Sequence, residues 1–317
     1  GRDVKLAKSR VEGYRNFATK LWNAARFVEM NECRPVPGFA PAGLEQTVNR
    51  WIAGEVKRAQ DAISHGLDEY RFNEAAEAAY HFVWGTYCDW YLEFIKPLLL
   101  GDNEAAKAET RATAAWAFDS ILKLLHPFMP FVTEELWGLL GDRDAMLVVS
   151  DWPDHGNDLV DPAADAEMDW LIRLISTVRS VRAETNVPAA AKLPLLLRDA
   201  GAETLARLER HREVVLRLAR LDSAAALEGE APKGSVQAVL DEATVMLPLA
   251  GAIDIDEEKA RLAREIEKLA EIIGRMDAKL CNDNFLEKAP EHVVEGERER
   301  RDAVRQTRAK LAEALAR

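Results

Sequence analysis

The chain has 317 residues, which is long for a single hydrophobic core and suits two or three domains. Its 48% apolar and 30% charged residues are typical of a soluble globular protein, and its longest uncharged apolar runs fall far short of the roughly 20 residues that a membrane-spanning helix needs. The composition thus excludes an intrinsically disordered or membrane-spanning chain, and a formal net charge of −12 argues weakly against a nucleic-acid partner.

Positive charge is concentrated at the two ends of the sequence. Residues 1–30 contain seven Lys/Arg and three Asp/Glu, and residues 298–317 contain the same numbers, so each segment has a net charge of +4. Charges more than about 8–10 Å apart are largely screened at physiological salt, so local charge decides which partner a surface attracts. Two basic segments in an acidic chain therefore leave nucleic-acid binding open.

The first helix is predicted to start at Ser9, because Ser9 and Glu12 fit a capping box. Apolar or small residues then recur in steps of three and four, as on the buried face of a packed helix. The residues predicted to be buried are Val11, Tyr14, Ala18, Leu21, Ala25 and Val28.

A second, polar face of the same helix is not required for packing. It consists of Asn16, Lys20 and Asn23, with Arg15 and Arg26 beside them and Phe17 at its border with the buried face. One interpretation is an ordinary solvated surface. The other is a surface that hydrogen-bonds unpaired bases, with Phe17 as a ring on which a base stacks.

Further helices separated by Pro and Gly predict a helical bundle over residues 1–145. They are expected at about 43–65, 73–96 and 103–125, with a short helix after His126. Most aromatic residues of these helices are assigned to the core, namely Trp84, Trp90, Tyr91, Phe94, Trp116, Phe118, Phe128, Phe131 and Trp137.

Residues 146–253 predict a small α/β domain. Helices are expected at about 163–184 and 201–221, and the segments 192–197, 235–240 and 244–249 read as strands.

Residues 254–317 predict an antiparallel coiled-coil hairpin. Its first arm has an apolar residue at alternating steps of four and three, which is the spacing of a coiled-coil seam. The seam residues are Leu262, Ile266, Leu269, Ile273, Met276 and Leu280. Each arm of about 25 residues would reach roughly 37 Å and would bury little, so the hairpin is suited to reaching a partner.

Motifs for catalysis or for a cofactor are absent from the sequence. There is no GxxxxGK[ST], GxGxxG, HExxH, CxxC or GxSxG, and six scattered histidines give no metal-pair spacing. Cys33, Cys88 and Cys281 are too far apart for a metal site and odd in number, which favours a reducing cytoplasm. We expect no metal, no cofactor and no catalysis by this chain alone. Because it begins at Gly1 and enters a helix at once, we interpret it as a piece of a longer polypeptide.

Six segments of the sequence resemble the C-terminal half of the bacterial valyl-tRNA synthetases. GRDVKL with RVEGYRNFATKLWNAARFV resembles the segment after their catalytic fold, and WYLEFIKP and LHPFMPFVTEELW resemble their helical anticodon-binding domain. VRSVRAETNVPAAAKLPLLL and LPLAGAIDIDEEKARLAREIEKL resemble the continuation of that family. KLCNDNFLEKAPEHVVEGER resembles the tip of their coiled-coil arm, although Cys281 and Asp283 replace the usual Ser and Pro. The bundle motifs alone leave the isoleucyl and leucyl enzymes open, and the hairpin selects the valyl enzymes.

The resemblance implies an ATP-dependent ligase in the whole protein and a tRNA-binding part in this chain, which lacks the catalytic motifs of the HIGH and KMSKS type. The implied partner is tRNA(Val), with no DNA and no membrane, and the protein is expected to be a cytoplasmic monomer. The residues implied to read the anticodon are Arg15, Asn16, Phe17, Lys20, Asn23 and Arg26. The implied contacts of the arm with the tRNA body are Arg264, Lys268, Arg275, Lys279, Lys288, Arg298, Arg301, Arg305 and Arg308.

Two other interpretations stay open. Arg179 and Arg182, three residues apart on the middle domain's helix, could extend the tRNA surface, although an ordinary surface role is the simpler reading. A fragment of an isoleucyl- or leucyl-tRNA synthetase, or a coiled-coil adaptor that binds a protein, would also fit parts of the pattern.

Overall fold

The computed structural model describes residues 8–249, 255–282 and 291–316, and the chain divides into two compact units, residues 1–174 and 175–317. The architecture is mainly helical with one small sheet, which confirms the fold class predicted from the sequence. None of the described helices is long and apolar enough to cross a membrane.

The first unit is a helical bundle. Its helices are α1 (Lys8–Met30), α2 (Thr47–Asp68), α3 (Phe72–His81), a π-helical segment (Phe82–Tyr91), α4 (Leu92–Phe94), α5 (Lys96–Leu100), α6 (Glu104–Leu125), α7 (Pro130–Leu139) and the first part of α8 (Pro162–Glu184). Short 3₁₀ turns at Leu147–Val149 and Asn157–Leu159 lie between α7 and α8.

Two buried tyrosines organise the centre of this bundle. The Tyr87 hydroxyl donates to the Ala114 carbonyl (3.1 Å), and the Tyr91 hydroxyl donates to Oδ1 of Asn49 (3.1 Å). Asn49 in turn donates to the Thr110 hydroxyl on α6 at 3.0 Å. Burial raises the pKa of both tyrosines well above the ordinary value, so both phenols stay protonated and can donate. The polar groups that enter this core are thereby satisfied.

The π-helical segment replaces the regular α-helix that the sequence predicts over residues 73–96. In a π-helix the backbone bonds run from residue i to residue i+5, so residues five apart lie on one face. Trp84 and Asp89 are five apart and both contact Lys20 on α1. Because π-helical insertions are frequent at functional sites, this face of the bundle is of interest for function.

Three side-chain positions in the bundle differ from the sequence prediction. Tyr14, expected in the buried face of α1, is 67% exposed, and Phe17, expected at its border, is 6% exposed. The buried face of α1 therefore runs through Phe17, Leu21 and Val28. Phe131, assigned to the core, lies at the start of the short helix α7 and is 90% exposed.

The segment after α7 is attached to the bundle through His155. Its backbone N–H donates to Oε1 of Gln60 (2.9 Å), its Nε2 lies 3.2 Å from the Ser120 hydroxyl, and its ring centroid lies 4.8 Å from that of Trp116. Burial, and then the nearby Lys123, lower the pKa of His155 below its ordinary value of 6.5, against a smaller opposing effect of Asp154. Protonation of this imidazole therefore disfavours the folded state.

The pH dependence of stability should report this histidine. A group with a lowered pKa in the folded chain contributes stability above its unfolded pKa, and that stability is lost as the pH falls through the folded pKa. Between about pH 7.5 and pH 5, we expect the chain to lose more unfolding free energy than its His155→Gln variant does. Urea denaturation at each pH measures this, with exposed His81→Gln as the control that should follow the unmodified chain. An equal loss in His155→Gln would contradict the assignment.

The second unit contains the end of α8, a four-stranded sheet and a helical hairpin. Its strands are β1 (Leu193–Arg198), β2 (Leu221–Ala226), β3 (Ser235–Leu240) and β4 (Ala243–Pro248), in the order β2-β1-β4-β3. β1 and β2 are parallel, and the helices α9 (Ala202–Arg210) and α10 (Arg212–Leu218) form the crossover that a parallel pair requires. The sequence predicts a helix up to about residue 221 and misses β2, whose alanines carry no strand signal.

The hairpin consists of α11 (Ile255–Leu280) and α12 (Glu291–Ala316). The two arms are antiparallel, because Lys279 pairs with Glu297 whereas Asp277 pairs with residues further along α12, Arg301 and Arg305. In the seam Ile273 is buried, and Ile266, Leu269, Met276 and Leu280 are partly buried. The side chain of Leu262 lies outside the described residues.

Candidate nucleic-acid interface

The polar face of α1 is exposed to solvent. The side chains of Arg15, Asn16, Asn23 and Arg26 are exposed, and none of them forms a hydrogen bond or an ion pair with any residue that the structure describes. Asn16 and Asn23 are seven apart, which is two helical turns, so their amides point in nearly the same direction. One side of the helix thus presents two guanidinium groups, which can donate hydrogen bonds, and two side-chain amides, which can both donate and accept them.

Lys20, the fifth polar residue of this face, is held by the π-helical segment. Its ammonium pairs with the Asp89 carboxylate and lies 4.3 Å from the ring centroid of Trp84, a cation–π contact. The side chains of Lys20 and Asp89 are 27% and 45% exposed, so solvent reaches the pair. An incoming anion would therefore compete with Asp89 for this ammonium.

Phe17 forms part of an aromatic stack and does not present an open face. Its centroid lies 5.2 Å from that of Tyr80 and 6.4 Å from that of Trp84, with interplanar angles of 30° and 17°. Tyr80 and Trp84 also stack on each other, at 5.7 Å. With 6% of its surface exposed, Phe17 can receive a base, as the sequence suggested, only if a neighbouring ring moves away. Tyr80, at 40% exposed, is the ring of this stack that solvent reaches best.

A cavity of about 710 Å³ opens beside the stack. Its wall combines α1, α3 and the turn between α6 and α7, and more of the lining surface is apolar than polar. The aromatic and polar residues of the wall are Tyr14, Phe17, Asn73, Glu77, Tyr80, His81 and Phe128. Aromatic walls with a few polar groups at the rim suit a flat heterocycle, because such a ring stacks and also needs hydrogen bonds at its edge.

The cations of the hairpin fall into two groups. Lys279, Arg301 and Arg305 pair with acidic groups of the opposite arm, at 3.3, 3.5 and 2.9 Å, so part of their charge is used within the hairpin. A second group is exposed and forms no ion pair with any residue that the structure describes, namely Lys268, Arg275, Arg298, Arg300 and Arg308, of which only Arg300 was not predicted from the sequence. Arg264 is exposed but has a partner, and Lys288 lies outside the described residues.

Three residues of the α1 surface were not predicted from the sequence. Tyr80 was not considered, Trp84 was assigned to the core, and Asp89 was not connected with Lys20, which is 69 residues away in sequence. The sequence has no signal for these contacts, because the period of a regular α-helix does not apply to the π-helical segment. Only the fold brings α3 and the π-helical segment against α1.

Known protein families match both parts of the chain. Residues 49–197 match the family described as the anticodon-binding domain of tRNA ligase, which assigns the bundle to that class of proteins. Residues 254–317 match the family described as the valyl tRNA synthetase tRNA binding arm. The second match corresponds to the hairpin.

Individual relatives agree over the whole chain. It is 51% identical to the valine–tRNA ligase of Caulobacter vibrioides and 49% identical to that of Brucella suis, covering 100% of this chain and 35% of each relative. It is 50% identical to the valine–tRNA ligase of Cereibacter sphaeroides, covering 100% of this chain and 32% of the relative. The chain belongs to the valine–tRNA ligase family and comprises its anticodon-binding domain and its tRNA-binding arm. It spans about a third of the length of these relatives.

Proposed function

We propose that this chain binds tRNA(Val) for a valine–tRNA ligase that works in the cytoplasm as a monomer. The whole protein would attach valine to tRNA(Val) with ATP, and both valine and ATP would bind outside this chain, whose sequence has no nucleotide-binding motif. The proposal assigns three roles: residues 1–145 read the anticodon loop, residues 146–253 connect, and residues 254–317 support the tRNA body.

The α1 surface is the observation that carries this proposal. Single-stranded loops are read by hydrogen bonds to base edges and by stacking on aromatic rings. The amides of Asn16 and Asn23 supply the hydrogen bonds, Tyr80 supplies an exposed ring at the mouth of the cavity, and Arg15 and Arg26 supply phosphate contacts. Lys20 joins them by exchanging Asp89 for a phosphate.

The hairpin is proposed to follow the tRNA backbone. Lys268 and Arg275 are seven apart on α11, so they lie on the same outward face of the coiled coil, and Arg298 and Arg308 are exposed on α12. Two contacts, one at the anticodon and one on the tRNA body, would orient the acceptor end. Binding energy from a remote part of the substrate is then available at the reacting centre.

An anticodon-swapped binding series tests the proposal. We expect transcripts of tRNA(Val) with a foreign anticodon to bind this chain more weakly by about 1–3 kcal/mol, which is the value of losing a stacked and hydrogen-bonded base. Fluorescence titration at fixed salt measures the dissociation constants, and tRNA(Ile) and tRNA(Leu) transcripts complete the series.

Two outcomes would contradict the proposal. Equal affinity for native and swapped anticodons would show that the α1 surface does not read the loop. Tighter binding of tRNA(Ile) or tRNA(Leu) than of tRNA(Val) would show that the chain serves a different amino acid.

A further inference from the structure

A cleft of about 290 Å³ in the second unit is lined by three arginines and by no acidic residue. Its walls are the end of α8, the loop before β1 and the junction between α10 and β2. The lining residues are Arg179, Arg182, Ala183, Val187, Ala189, Leu218, Ala219 and Arg220. Neither the anticodon-reading surface nor the hairpin includes this cleft.

The guanidinium groups of the cleft are held by backbone carbonyls. Arg182, only 7% exposed, donates to the carbonyls of Arg220 (3.2 Å), Pro188 (3.2 Å) and Ala191 (2.7 Å). Arg220 donates to the Ala189 carbonyl at 2.5 Å, and Nε of Arg179 donates to the Leu218 carbonyl at 3.0 Å. These bonds fix the three planar groups around one space.

Two of the three arginine charges of the cleft lack a carboxylate partner. Among the residues that the structure describes, no carboxylate pairs with Arg182 or Arg220, whereas Arg179 has a further interaction of its own. Burial, and then the charge of Arg220, lower the pKa of Arg182. A buried cation is costly unless an anion compensates for the lost hydration, and carbonyl dipoles compensate only in part. An anion in the cleft would therefore be stabilised.

The backbone at Arg220 allows its guanidinium to be removed without strain. Arg220 follows the end of α10 with φ = 55°, in the left-handed region that glycine adopts without strain and other residues adopt only at a cost. Glycine is therefore the replacement that this helix end accommodates best.

We propose that this cleft binds a phosphate group of the tRNA backbone, as a contact separate from the α1 surface and the hairpin. Arg220 gives one of its five N–H donors to the Ala189 carbonyl, so its guanidinium can still bond two phosphate oxygens at once. The phosphate supplies negative charge beside Arg182 and Arg220. This inference rests on the proposed binding of tRNA.

The variant Arg220→Gly separates binding from folding. It removes one guanidinium and relieves the backbone, so its melting temperature should equal or exceed that of the unmodified chain. We expect the affinity for a tRNA(Val) transcript to fall about tenfold, as for the loss of one charge-assisted contact, and the log–log salt slope to decrease in magnitude by about 0.7–0.9. Arg179→Gln is the second variant and should act in the same direction. Arg212→Gln is the matched control, because Arg212 is a half-buried arginine of the same unit that pairs with Glu209 at 3.1 Å.

Inorganic phosphate distinguishes the two sources of the ligand. It should raise the melting temperature of the unmodified chain and not that of Arg220→Gly; an equal rise in both would overturn the cleft as a phosphate site. If Arg220→Gly abolishes the rise in melting temperature with inorganic phosphate but leaves the salt slope of tRNA binding unchanged, the cleft binds free phosphate and not the tRNA backbone. If anticodon-dependent binding persists while neither measurement responds to Arg220→Gly, this inference fails and the proposed function stands. Loss of anticodon dependence in the unmodified chain would instead overturn the proposed function.

Discussion

Replacing four exposed, unpaired cations of the hairpin by glutamine should weaken tRNA(Val) binding by about 10²–10³-fold at 0.1 M salt. The substitutions are Lys268→Gln, Arg275→Gln, Arg298→Gln and Arg308→Gln. Each phosphate that a cation neutralises adds about 0.7–0.9 to the magnitude of the log–log salt slope, so four lost contacts should reduce it by about 3. Titration of the transcript between about 50 and 200 mM salt gives both quantities.

The control variant removes the hairpin cations that already have partners. Lys279→Gln, Arg301→Gln and Arg305→Gln eliminate charges that Glu297 and Asp277 partly neutralise, so the salt slope should change much less. These surface pairs each contribute only about 0–1 kcal/mol, so both variants should keep their helix content, which circular dichroism checks. Equal slopes for the two variants would show that pairing does not decide which cations meet the tRNA. An unchanged affinity in the fourfold variant would favour a coiled-coil adaptor.

Helical periodicity and strand composition predict most of the fold. The steps of three and four in α1, and of four and three in α11, correspond to helices that bury one side, and strands such as β1 have a clear apolar run. Periodicity could not predict the π-helical segment. A π-helix has more residues per turn than an α-helix, so its buried positions do not recur at intervals of about 3.6 residues. β2 was missed because its alanines favour a helix and only pairing with β1 makes them a strand.

The sequence predicts only those parts of the site whose residues all lie on one helix. The exposure of Asn16, Asn23 and their arginine neighbours follows from their spacing on α1. The sequence could not predict that Phe17 is buried and Tyr14 is exposed. Both lie near the border of the buried face, and packing against α3 decides which of the two rings is covered. The arginine cleft depends on a loop and a strand start that meet only in the folded unit.

Phe17→Ala should lower the unfolding free energy of the chain by about 3–5 kcal/mol, the usual cost of removing a buried aromatic ring. The ring is 6% exposed and stacks on Tyr80 and Trp84, so its loss leaves a cavity between α1 and the π-helical segment. Urea denaturation followed by tryptophan fluorescence measures this, and Trp84 reports directly on the stack. Any loss of tRNA affinity in this variant should follow from its lower stability.

Tyr80→Ala should show the opposite pattern. Tyr80 is 40% exposed, so its removal should cost less stability than that of Phe17, about 1–3 kcal/mol for its two stacked pairs with Phe17 and Trp84. If a base stacks on this ring, tRNA(Val) binding should weaken by about 1–3 kcal/mol. Tyr70→Ala is the matched control, since Tyr70 is 82% exposed outside the site and its loss should not change binding. Should Phe17→Ala instead leave stability unchanged and reduce affinity, with Tyr80→Ala silent, then Phe17 is the base platform and the stack opens when tRNA binds.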